Sequence, residues 1–138
     1  MLEMLLQTYD KYHTRLDFDG GFQTTQPVVG FAATDVFGEN MRTDTFPSHD
    51  QFTWETNVHF LHYAGSWSVP VRWDLNDEDL EEMLGSINGV MFGGGGTDLV
   101  DHETGEQSDF YKMAKRIWNY MKKQKDEKGI DWPIFGVC

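Results

Sequence analysis

Apolar residues fall along this chain in short blocks that switch between a strand rhythm and a helix rhythm. Val28-Val29-Gly30-Phe31-Ala32-Ala33 is a compact apolar run with polar flanks, the pattern of a buried strand. Residues 35 to 48 predict a long loop. Helical spacing then runs from Asp50 to Ala64, with Trp54, Val58, Leu61 and Ala64 as the inner face and Gly65 as the stop. Trp67 to Trp73 alternates and predicts a second strand, with Pro70 placing it at a sheet edge or strand end, because proline offers no ladder donor. Asn76 can cap a helix over 77–84. Leu75 and Leu80 are spaced to staple its start, and Asp77, Glu78 and Asp79 sit where the helix dipole favours carboxylates. Ile87 to Phe92 predicts the third strand, running into Gly93-Gly94-Gly95-Gly96. Ser108 can cap a long helix to about Lys125, with Phe110, Met113, Ala114, Ile117, Trp118 and Met121 turned inward. Trp132 to Val137 reads as the fourth strand.

Strands alternating with helices in this order predict an α/β fold, a doubly wound and mainly parallel sheet between helical layers, here cut short after its fourth strand. Ahead of it, Leu2, Leu5, Leu6, Tyr9 and Leu16 suggest a short amphipathic helix over 2–16, followed by a loop over 17–26 around Gly20-Gly21. The expected organisation is an arm, 1–26, and one domain, 27–138.

Composition narrows the partners. A net charge of -12 sets the chain against nucleic acid and anionic membrane surfaces. The charge is uneven. Six carboxylates crowd 74–82, and seven of eleven basic residues lie in 112–128. Lys112, Lys115, Arg116, Lys122 and Lys123 read most simply as the solvated face of their helix. One cysteine forms no internal disulfide and marks no redox compartment. The first residues show neither a basic region nor the apolar stretch of a signal peptide, and no apolar run reaches membrane-span length.

In doubly wound sheets, chemistry gathers at the carboxyl ends of the strands. Two unusual features fall there. Four glycines after the third strand free the backbone to turn its N–H groups toward one point. Aimed at a developing oxyanion, each such donor contributes about 3 kcal/mol to transition-state stabilisation. The alternative is a plain flexible turn. No Gly-Lys-Ser/Thr follows, so the run is not a P-loop. Cys138, after Gly136 at the end of the fourth strand, resembles the first half of a nucleophile elbow. A lone cysteine is otherwise a small apolar residue. The sequence stops at it, so the expectation is no following helix dipole and a terminal carboxylate beside the sulfur. Arg72, at the carboxyl edge of the second strand, can meet an anionic substrate or neutralise Asp74. His59 and His62 lie three apart on one helix and could ligate a metal, although no third ligand is evident and solvent-facing rings are the simpler reading. His102 reads as loop decoration, and no cofactor is expected.

Taken in order, Pro27-Val28-Val29-Gly30, Tyr63-Ala64-Gly65, Val69-Pro70-Val71-Arg72, Ile87-Asn88-Gly89-Val90-Met91-Phe92-Gly93-Gly94-Gly95 with Asp98-Leu99, and Pro133-Ile134-Phe135-Gly136-Val137-Cys138 resemble the N-terminal half of the γ-glutamyl hydrolases, within the class I glutamine amidotransferase-like fold. The resemblance covers 27–138. It implies a cysteine hydrolase acting on folate poly-γ-glutamates, with Cys138 as nucleophile and the backbone of Gly94 and Gly95 at the oxyanion site. It also implies a catalytic histidine and acidic partner in the second half of the family's domain, and a lysosomal, vacuolar or extracellular location. Gly93 stands where the family commonly has proline, and Asn57 and His59 where it has tyrosine and lysine.

Two further readings stay open. The chain can be a non-catalytic amidotransferase-like subunit that binds or scaffolds, or a glutaminase domain, which the Gly-Gly-Thr-Asp-Leu end of the glycine loop suits less well. A sheet ending on its reactive strand leaves an open edge, which predicts marginal stability alone, or a homo- or hetero-oligomer that covers it.

Overall fold

In the computed structural model the described residues are 26–35 and 51–138. The helix expected over 2–16, nearly all of the arm and the loop over 36–48 lie outside them.

Four strands build the main sheet: β1 (Val28–Ala32), β4 (Trp67–Val71), β5 (Gly89–Phe92) and β6 (Ile134–Gly136), in the order β4-β1-β5-β6. Every pairing is parallel, with Phe31 level with Pro70 on one side and Met91 on the other, and Met91 level with Phe135. A parallel sheet needs helical crossovers, and α1 (Glu55–Tyr63), α2 (Asp77–Ser86) and α3 (Asp109–Lys128) supply them. The α/β architecture read from the sequence is the one observed. It is consistent with the class I glutamine amidotransferase-like fold. Pro70 lies in an edge strand, bonded on one side only.

Alternation along the strands sorts the core into two layers. Ala32, Val71 and Val90 face α2 and α3, where Leu80, Leu84, Phe110, Met113 and Ile117 are buried. Phe31 and Met91 face the other way, against Leu61 of α1. The sheet is thus sandwiched, three layers deep. Gly30 makes room for the larger layer, since a methyl there would stand 2.7 Å from both Ile87 Cδ1 and Val71 Cγ2.

Several boundaries differ from the sequence reading. Gln51–Phe52 is not helical but a short strand, β3, paired antiparallel with β2 (Thr34–Asp35). The helix therefore begins at Glu55, with Trp54 as an N-cap residue 44% exposed rather than an inner-face anchor. Ala64 is exposed too, leaving Leu61 as the buried contact. That helix closes as expected, with Gly65 at φ 85° and the Gly65 and Ser66 N–H groups donating to the His62 and Leu61 carbonyls. Helix α2 runs two residues past Leu84. Helix α3 runs to Lys128 and ends on Gly129 at φ 67°, and its Trp118 is 54% exposed instead of inward. Strand β6 is only three residues long. Trp132 before it is buried, with its indole N–H donating to the Ile87 carbonyl.

The basic face of α3 is only partly a solvated one. Arg116 pairs with Asp77 and donates to the Leu75 carbonyl, and Lys123 pairs with Glu81. These contacts join α3 to the acidic start of α2 and explain why opposite charges cluster in the two segments.

Candidate active site

Strands β5 and β6 are neighbours, so the glycine run that follows one meets the residue that follows the other. The Val137 N–H donates to the Phe92 carbonyl at 3.0 Å, carrying the pairing to the brink of both turns. The next residue, Cys138, has φ 81°, the one positive φ at a non-glycine among the described residues. A side chain rarely adopts this region. Cys138 is exposed, and its thiol is free.

Gly94 lies directly against Cys138. A methyl on Gly94 would stand 2.8 Å from Cys138 Cβ, 3.4 Å from the Val137 carbonyl oxygen and 3.5 Å from Cys138 Sγ. Only glycine allows this approach. Gly95 and Gly96 open away, with nothing within 4 Å of where a side chain would start. Gly93 is closed on the other side, where a methyl would stand 2.7 Å from Asn57 Nδ2 and 2.7 Å from Phe31 Cζ. Sequence reasoning missed this role for Asn57. Its signal was indirect, a polar residue one turn before Leu61 on the helix face that meets the sheet.

Arg72 lies elsewhere. β4 and β6 are opposite edges of the sheet, three strand spacings or roughly 14 Å apart. Its guanidinium is committed to Asp74 through Nε at 2.9 Å and through Nη2. Gln51 completes the cluster, donating to the Asp74 carboxylate and accepting from the Trp73 N–H. Partial burial pushes the Asp74 carboxyl up, but Arg72 and Gln51 outweigh it and hold the group below the usual carboxylate range.

The described histidines each hold local partners. His59 sits 3.6 Å from Glu55, His62 is 3.4 Å from the Ser68 hydroxyl and edge-on to Trp67, and His102 is 3.4 Å from Asp98. No group of three or more metal-ligating side chains occurs among the described residues, and no helix there is long and apolar enough to cross a membrane. His13 and His49 lie outside the described residues.

The arrangement is an exposed thiol just past a strand end, beside a loop of glycines of which Gly95 and Gly96 are open. A free, exposed thiol is chemically a nucleophile.

No family model matches the chain. Among known proteins, the chain is 33% identical over 113 residues to a γ-glutamyl hydrolase of Bos taurus, covering 82% of this chain and 32% of that protein. It is 40% identical over 81 residues to a γ-glutamyl hydrolase of Homo sapiens, covering 59% of this chain and 23% of that protein. A γ-glutamyl hydrolase B of Dictyostelium discoideum is 29% identical over 102 residues, 70% of this chain. The chain therefore spans about a third or less of the length of the curated relatives it matches.

Proposed function

We propose, from the premise that this sequence is related to a portion of the γ-glutamyl hydrolases, that it carries the nucleophile side of a cysteine hydrolase that cleaves γ-glutamyl bonds of folate poly-γ-glutamates. The observation that carries the reading is the exposed Cys138 at φ 81°, packed against Gly94.

In the proposed reaction the Cys138 sulfur, as thiolate, adds to the γ-carbonyl carbon. The carbonyl π electrons move to oxygen, and backbone N–H groups of the Gly94-Gly95 segment stabilise that oxyanion. Collapse breaks the C–N bond, and the departing glutamate amine takes up a proton. Water then hydrolyses the thioester and regenerates the thiol. The described histidines are engaged by Glu55, Ser68 and Asp98. The resemblance assigns the proton-transferring histidine and its acidic partner to a stretch of the relatives with which this chain does not align, so the 138 residues alone are expected to stop at the thioester without turning over.

Arg72 fits a second task. A poly-γ-glutamate carries an α-carboxylate on every residue, and Arg72 on the same sheet would meet one far from the scissile bond. It would do so with the guanidinium edge that Asp74 leaves uncovered.

The test is covalent trapping. The full chain is incubated with a folate poly-γ-glutamate and followed by intact mass and by release of glutamate, beside Cys138→Ala. A thioester-sized adduct on the parent chain and none on Cys138→Ala supports the hydrolase. Saturable binding of the polyglutamate that is identical in Cys138→Ala, with no adduct, would instead favour the non-catalytic subunit.

A further inference from the structure

The glycine loop is held from two sides. Cys138 closes on Gly94, and α1 closes on Gly93. The α1 contact has a clear origin in packing. Leu61, 7% exposed, locks the helix onto Phe31 and Met91. Asn57 stands one turn earlier on the same stripe. Its carboxamide is thereby set over Gly93, with Nδ2 where a side chain at that glycine would begin. Asn57 is half-buried, and its carboxamide makes no hydrogen bond to a described residue. A polar group placed this way is not there to hold the helix, since the helix is held by Leu61 and closed by Gly65.

We propose that Asn57 is a positioning residue for the oxyanion site. Pressed against Gly93, it fixes the orientation of the glycine-loop amides that face the carbonyl attacked by Cys138. The inference rests on the hydrolase reading above. The neutrality of the side chain matters as much as its shape. A carboxylate of the same size would put a negative charge beside the point where the oxyanion grows, and like charges at short range in a partly desolvated site oppose one another strongly.

Two electrophiles separate this role from a structural one. A γ-glutamyl diazomethyl ketone reacts with a thiol through a tetrahedral oxyanion. Iodoacetamide is attacked at its CH2 carbon, loses iodide as the C–S bond forms, and passes through no oxyanion. The ratio of the limiting rate at saturating ketone to the iodoacetamide rate of the full chain, read by intact mass at Cys138, reports on the oxyanion step, because saturation takes ground-state binding of the γ-glutamyl group out of the comparison. The parent chain is expected to favour the ketone. Asn57→Ala and Asn57→Asp are expected to lower the ratio by at least about tenfold, with the iodoacetamide rate unchanged. Asn57→Asp adds a carboxylate to the first turn of a helix, where it is stabilising, so this variant folds even if the alanine variant does not. A ratio unchanged in Asn57→Asp overturns the proposal and leaves the hydrolase reading standing. A parent chain that shows no preference for the ketone overturns the hydrolase reading, and this proposal with it.

Discussion

At the residue scale the site turns on the difference between two adjacent glycines. A methyl on Gly94 overlaps Cys138 Cβ at 2.8 Å, whereas a methyl on Gly95 meets nothing within 4 Å. Gly94→Ala must therefore push Cys138 or the loop aside, at a cost of about 1–3 kcal/mol. The expected outcome is a lower melting temperature and an altered Cys138 alkylation rate for Gly94→Ala, with Gly95→Ala close to the parent in both, measured by thermal melts and timed iodoacetamide labelling. A second residue-scale prediction concerns acid. The Asp74 carboxyl is held below its ordinary value of 3.8 by Arg72 and Gln51 against the opposing pull of burial. The folded chain thus binds fewer protons here than the unfolded one. The Asp74 contribution is fully present above that value and is lost as pH falls through the lower folded one. Asp74→Asn should flatten the fall in melting temperature between about pH 5 and about pH 2. Part of the fall remains, because Glu81, bonded by Lys123, and Asp101, bonded by the Thr104 and Glu103 N–H groups, are also held low.

At the element scale, local chemistry starts and stops the helices. Asn76 accepts from the Asp79 N–H at 2.8 Å and Ser108 from the Tyr111 N–H at 3.2 Å, each satisfying a first-turn donor. Ser108→Ala is expected to cost about 1 kcal/mol, seen as a shifted denaturant midpoint with an unchanged slope. A larger loss would mean that Ser108 also secures the turn before it, where its own N–H donates to the Leu99 carbonyl. Both caps were legible in the sequence because capping depends on residues three apart. The α1 start was not. Gln51 and Phe52 fall inside the stretch read as helix, yet they pair with Asp35 and Thr34, a partner no local window contains. Trp118 failed for a related reason. It extends the apolar spacing of α3, but the buried stripe through Phe110, Met113, Ile117 and Gln124 passes beside it.

At the scale of the whole molecule, the sheet has two edges, β4 and β6. On β6 Phe135 is 53% exposed, just past it Val137 is 44% exposed, and the short strand carries no charge to deter pairing. Concentration-dependent association of the isolated chain is expected, read as a rising weight-average mass in sedimentation. Phe135→Lys should reduce it, and a monomer at all concentrations would contradict it. The sequence by itself determined the parallel α/β order, because the switch between strand and helix periods is written in neighbouring residues. It also marked the glycine run and Cys138, since both stand out by residue type and by place after a strand. What those groups touch was decided only by the tertiary structure. That Gly94 faces Cys138, that Gly93 faces Asn57, and that Arg72 stands on the far edge beside Asp74 all follow from the strand order β4-β1-β5-β6. Hydrophobic periodicity tells each strand which face is buried but not which neighbour it takes. That choice is made by the packing of all the layers at once.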